Sequence, residues 1–193
     1  MRKFLAGSQP HYAKIRYTQP DARSALAKAI GDVFTDSACP IQDVLVLCIG
    51  TDRSTGDSLG PLVGSQLLAG NPGFRVLGCL EQPVHAANLV QTLDALQENP
   101  PGRIIAVDAS LGNMDSVGLV NIGRGALQPG AGVNKRLPAV GDMYITGIVN
   151  VGGFMEYFVL QNTRLSVVIR MSELIGFGLI TALGTLGMAA KNT

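Results

Sequence analysis

Tryptophan is absent from this 193-residue chain, and aromatic residues make up only 5% of it. A platform on which nucleic-acid bases stack therefore has no material. Charge is sparse as well: 15 basic side chains stand against 14 acidic ones, for a net +1, and no basic run occurs. Without a field of one sign, no nucleic-acid partner is expected. Cysteine is limited to Cys39, Cys48 and Cys79, an odd number with no CxxC pair. That count excludes a disulfide framework and a zinc ribbon. The N-terminus lacks the apolar core of a signal peptide, so reduced thiols in the cytoplasm are expected. Cys48 lies within the apolar run VLVLCI, which suits packing better than nucleophilic chemistry.

What the chain has is apolar bulk. Hydrophobic residues are 47% of it and charged residues 15%, a balance that suits a compact core and excludes a disordered protein. The length fits one domain. The uncharged stretch Leu174 to Ala190, LIGFGLITALGTLGMAA, is at the short limit for crossing a bilayer. Arg170 and Glu173 directly precede it, and its glycines suit close packing against a sheet. A buried terminal helix is expected, with no membrane partner.

Along the chain, residues 1–20 read as an extended arm carrying Pro10 and Pro20, and residues 21–193 as a single α/β domain. A helix is predicted from Asp21 to Phe34, with Ala22, Leu26, Ile30 and Val33 at helical spacing. Val44 to Ile49 is a continuous apolar run, the pattern of a strand buried on both faces. The loop GTDRSTGD follows, then a helix from Ser58 or Pro61 to Ala69. Phe74 to Leu80 reads as a strand, Ala86 to Glu98 as an amphipathic helix, and Arg103 to Val107 as a strand ending at Asp108. Val117 to Ile122 and Tyr144 to Val149 are further strands, separated by a Gly- and Pro-rich loop over 123–140. Phe154 to Leu160 starts a helix, and Leu165 to Ile169 suits either a short strand or the start of the last helix. The β-α-β-α-β rhythm predicts a three-layer α/β/α fold around a mostly parallel central sheet.

In such sheets ligands bind beyond the carboxyl ends of the strands. Two strands here lead into acidic segments, one reaching Asp57 just before a helix and one meeting Asp108 directly. If the strands are neighbours, both carboxylates share one crevice. Each then perturbs the other's proton affinity, as general acid–base chemistry needs. Asp57 also suits a plain helix cap, whereas a carboxylate directly after an apolar strand gains nothing from burial. Arg53, Ser54 and Thr55 could hold an anionic group, although the loop lacks both the P-loop ending and GxGxxG. His85 opens the third helix, and with the two acids it would complete a set able to hold a transition metal. The 123–140 loop and the next strand offer Asn134, Lys135, Arg136, Asp142, Thr146 and Asn150, with the cleft expected to be partly lined by residues 130–146. Backbone N–H groups at the Ser58 helix start are candidates for an oxyanion.

The segments IGTDRSTGDSLGPLVG, PVHAANL, AVDASLG, GAGVNKRLPAVGD and ITGIVNVGGFMEYFVLQNTRL together resemble the YyaC-like sporulation proteins of spore-forming Firmicutes, from about Val44 to about Leu165. That family is similar to the germination protease that degrades small acid-soluble spore proteins, and to the wider phosphorylase/hydrolase-like fold that includes hydrogenase maturation endopeptidases. The resemblance carries the protease's catalytic pair onto Asp57, in DSLGP, and Asp108, in VDAS. In the maturation enzymes two acids and a histidine bind the nickel of the substrate, and His85 stands outside that histidine position. The resemblance implies a sporulation-linked peptidase with an aspartate pair, acting on a protein or peptide in the cytoplasm of a forespore or mother cell. Arg53, Ser54, Thr55, His85, Asn134, Lys135 and Thr146 are its candidate substrate contacts, and no cofactor or metal is expected. A non-catalytic spore-assembly or peptide-binding protein, a metal-assisted hydrolase and a homo-oligomeric state remain open at this point.

Overall fold

A computed structural model describes residues 12–34, 39–130 and 137–191. Its centre is a six-stranded sheet in the order β1-β5-β6-β4-β2-β3. The strands are β1 (Ala13–Arg16), β2 (Val44–Cys48), β3 (Arg75–Leu77), β4 (Arg103–Gly112), β5 (Leu119–Arg124) and β6 (Met143–Val151). β3, β2, β4 and β6 run parallel, while β5 lies antiparallel to β6, and β1 antiparallel to β5. Part of the expected N-terminal arm is therefore an edge strand of the domain, pairing Ala13 with Ile122 and Arg16 with Leu119.

The helices are α1 (Ala22–Phe34), α2 (Leu59–Ala69), α3 (Leu89–Ala95), α4 (Glu156–Gln161) and α5 (Leu165–Lys191). Period-2 alternation divides each strand between two faces. Val46, Cys48, Ile105, Val107, Ile122 and Ile145 face α1, α2 and α5 in the larger core. Leu45, Leu47 and Ala106 face α3 and the residues around Leu137 and Val140 in the smaller one. The result is the expected α/β/α sandwich, with one face covered by three helices and the other by a short one.

The uncharged tail is the body of α5. It is long and apolar enough to cross a membrane by length and composition, yet more than half of the qualifying window is buried inside the fold. Met171, Ile175, Leu179 and Leu183 are its core residues. Two of its glycines serve contact with helices rather than with the sheet. A β-carbon on Gly178 would come within 2.9 Å of Leu26 in α1, and one on Gly176 within 2.8 Å of Gln66 in α2. Gln66 also donates to Ser172 Oγ at 3.0 Å, tying α2 to α5. The segment Leu165–Ile169, open in sequence to either structure, is the first turn of α5.

Crossovers place the site. From β2 the chain passes through α2 to β3 on one side, then through α3 to β4 on the other side of β2. Strand order thus reverses between β2 and β4, and their carboxyl ends open a crevice where such sheets bind ligands.

Candidate active site

β2 and β4 are paired from Val44–Arg103 to Cys48–Val107, and Ile49 N–H extends the ladder to Val107 O at 2.7 Å. Ile49 bridges to Val84 on its other side, and Gly50 N–H donates to Val84 O at 2.8 Å. That bridge sets His85 beside the end of β2. Gly50 has φ +140°, a conformation open to glycine. From there the chain folds back on itself: Thr51 N–H donates to Asp57 O at 3.1 Å, and Ser58 N–H to Ser54 O at 3.0 Å. Ser58 Oγ closes the turn on Thr55 O at 2.7 Å. Three glycines permit the packing. A β-carbon would meet Asp57 O at 2.0 Å from Gly50, Ile49 O at 2.1 Å from Gly60, and the Leu160 side chain at 2.8 Å from Gly56. The glycines of GTDRSTGDSLGP are thus explained by close backbone approach, and they pin Asp57 at the mouth of the crevice.

Asp57 lies in a 3-10 turn, and the cap position of α2 belongs to Ser58. The simple capping role is thereby removed. Asp108 departs from expectation in another way. β4 does not end before it but continues to Gly112, because β6 pairs with this stretch, Asp108 against Thr146. A register shift at Ser110/Leu111 lies just past the carboxylate, and bulges of this kind are common beside sites.

Asp57, Asp108 and His85 line one small cavity of about 60 Å³, with Ile49, Gly50, Ala86, Ala109, Pro129, Gly130 and Leu137 forming the rest of its wall. Asp108 is 6% exposed and accepts a hydrogen bond from Ala109 N–H at 2.8 Å. Burial pushes its carboxyl well above the usual range, and the nearby Asp57 charge raises it further. Burial also raises Asp57, opposed by the Thr51 N–H and by His85. Both carboxyls therefore hold their protons to higher pH than a free carboxyl does, and Asp108 is the more deeply buried of the two. His85 is held by its own backbone, since its N–H donates to Asn88 Oδ1 at 2.7 Å. Its Nδ1 accepts from Ala87 N–H at 3.2 Å, which assigns the neutral ring's proton to Nε2. Among the described residues, no group of three or more His, Cys, Asp or Glu is gathered so as to hold a metal ion.

Other expected contacts sort differently. Arg53 is exposed, and its backbone N–H contacts Thr51 Oγ1. Ser54 is buried, with its Oγ unpartnered among the described residues, and Thr55 supplies the carbonyl that holds Ser58. None of the three lines the cavity; they build the turn that carries Asp57. The Ser58 N–H proposed for an oxyanion is spent on Ser54 O. Thr146 is buried one strand over from Asp108. Asn150 is a structural tie, donating to Val159 O and Thr163 Oγ1, both at 3.2 Å. Asp142 sits at the opposite end of the sheet, where it accepts from Ile104 N–H and approaches Arg103 at 3.8 Å. Asn134, Lys135 and Arg136 lie outside the described residues. Of the segment 130–146 expected beside the cleft, Gly130 and Leu137 line this cavity, while Pro129, one residue before that segment, was not singled out.

The chain is 52% identical over 162 residues to the uncharacterized protein YyaC of Bacillus subtilis (strain 168), covering 81% of this chain and 78% of that protein. Among solved structures it is similar to the NiFe hydrogenase maturation protease HycI from Thermococcus kodakarensis KOD1, at 18% identity and a TM-score of 0.48, covering 80% of this chain and 97% of that one. A family model matches residues 14–178, and the chain belongs to that family, described as a protein of unknown function, DUF1256.

Proposed function

We propose that this protein is a peptidase that hydrolyses an amide bond with the Asp57/Asp108 pair and serves sporulation. The single observation that carries the catalytic part is the pair itself. A carboxyl from the turn that follows β2 and a carboxyl on the neighbouring parallel strand β4 line one cavity, and burial raises both above the usual carboxylate range. The sporulation link and the choice of a spore protein as substrate rest on the motif resemblance.

In the proposed reaction Asp57, as carboxylate, takes a proton from water while the oxygen attacks the amide carbon. Asp108 gives its proton to the departing nitrogen, the C–N bond breaks, and a carboxylic acid and an amine leave. The His85 Nε2–H is the side-chain donor in the cavity for the developing oxyanion.

The test is incubation of spore-core protein extract with wild-type protein and with the Asp57→Asn and Asp108→Asn variants, followed by identification of new peptide termini. Wild type should generate a defined set of termini, and each variant should lose them by about 10³-fold or more in rate. Cleavage at wild-type rate by both variants overturns the assignment. Retention of a bound spore protein with no cleavage by any form favours the non-catalytic alternative.

A further inference from the structure

The face of the sheet that holds Asp108 carries two more buried polar side chains in line with it. β4 pairs Asp108 with Thr146 on β6, and β6 pairs Thr146 with Asn121 on β5. Cross-strand partners share a face, so Asp108, Thr146 and Asn121 form a row perpendicular to the strands, at the interstrand spacing of about 4.8 Å. All three are buried: 6%, 6% and 4% exposed. The next residue in register, Lys14 on β1, is exposed, so no buried cation joins the row.

Asn121 is the anomaly. Its Oδ1 is buried with no hydrogen-bond partner among the described residues. Nearly all buried side-chain oxygens in folded proteins are partnered, and an orphaned one is costly enough to need a reason. A sheet interior at this position would be served better by an apolar residue, as Val120 and Ile122 serve the other face. An amide kept here without a partner is suited to a group that arrives from outside.

We infer that Thr146 and Asn121 form a binding subsite beside Asp108 for an uncharged amide, a peptide unit of the substrate within about three residues of the bond to be cleaved. A hydroxyl and a carboxamide together offer both a donor and an acceptor, matching the N–H and C=O of a peptide group. Across the row, from Asp108 to Asn121, the distance is about 10 Å at the interstrand spacing. That span is about three residues of an extended peptide. A carboxylate ligand is disfavoured, because the row has no buried counter-charge and Asp57 lies next to it. The choice of a peptide occupant rests on the peptidase proposal, whereas the existence of an amide-binding subsite does not.

The experiment uses the full chain and N-acetylglycinamide as probe, with acetate as the charged control. Binding is read from the Asn121 side-chain NH₂ and Ala109 backbone resonances in ¹⁵N spectra, the latter alone where Asn121 is replaced. Wild type should show saturable shifts with the amide and none with acetate. Asn121→Leu, of similar volume, should weaken probe binding at least tenfold. It should also raise the melting temperature by about 2–4 °C, since it removes an unpartnered buried amide. Thr146→Val should weaken the probe while leaving the fold intact. Asp57→Asn should retain probe binding, so that a failure of the cleavage proposal and a failure of the subsite give different results. The subsite is overturned if the resonances do not move with the amide, if acetate moves them equally, or if Asn121→Leu lowers the melting temperature and leaves binding unchanged.

Discussion

Gly50 lies against the backbone carbonyl of Asp57, so close that a β-carbon there would stand 2.0 Å from the oxygen and 3.1 Å from Pro61 Cδ. The end of β2 and the turn bearing the proposed base are thus one packed unit. Gly50→Ala meets both that clash and the φ of +140°, which no alanine adopts without strain. The turn must move away from the strand. Stability should fall by about 1–3 kcal/mol, and amide hydrolysis by about 10²-fold, as expected when a catalytic group shifts by an ångström. Thermal unfolding with cleavage assays checks both. An unaltered melting temperature would disprove the packing.

The two raised acids make a pH-dependent stability. Both folded-state affinities for protons lie above the unfolded value of about 3.9. The folded state therefore binds more protons, and the stability from these groups is fully present below about pH 3.9. It is lost as pH rises through their folded values. Asp108→Asn is neutral throughout and escapes the larger share of that loss. In urea titrations at a series of pH values, the variant should gain on wild type as pH rises from 4 to 8, by about 1.4 kcal/mol for each unit of the Asp108 shift. Parallel curves would mean that Asp108 is ordinary.

Much of this arrangement was legible because the physics leaves a mark in the sequence. A strand buried on both faces has to be apolar throughout, so VLVLC and IIAV stood out, and the carboxylates beyond them followed. The continuation of β4 past Asp108 was not legible. Asp, Ser and Gly normally punctuate a strand, and only the ladder to β6 holds this stretch extended. Arg53, Ser54 and Thr55 looked like ligand contacts by composition. The backbone bonds that make them a turn depend on how the chain folds back on Gly50. Asn121 gave no signal at all, being one polar residue in an apolar strand whose neighbour Thr146 is set by register across 25 residues of chain.

Thiol chemistry offers an independent check of the core. Cys48 is fully buried at the end of β2, and burial pushes its thiol far above the ordinary range. Cys39 is only partly buried, beside Gly102. Brief alkylation of the native protein at pH 8 should label Cys39 first and leave Cys48 unmodified until denaturant is added, as read by peptide mass mapping. Early labelling of Cys48 would contradict the placement of β2 in the sheet interior.

His85 provides the last test, and it does not wait on a substrate. The ring's Nδ1 accepts from Ala87 N–H, so the neutral imidazole should carry its proton on Nε2, the donor left for the cavity it lines. The chain has two histidines, and His11→Gln leaves His85 alone in a long-range ¹H–¹⁵N spectrum, where the Nε2–H tautomer should dominate the neutral ring. Once a cleaved peptide is in hand, His85→Ala should lower kcat by about 10²–10³-fold with little change in KM, the signature of a donor used in the transition state. His85→Gln keeps an N–H near the same place and should recover part of that loss. A wild-type kcat in His85→Ala, or an Nδ1–H tautomer in the spectrum, would remove His85 from the chemistry.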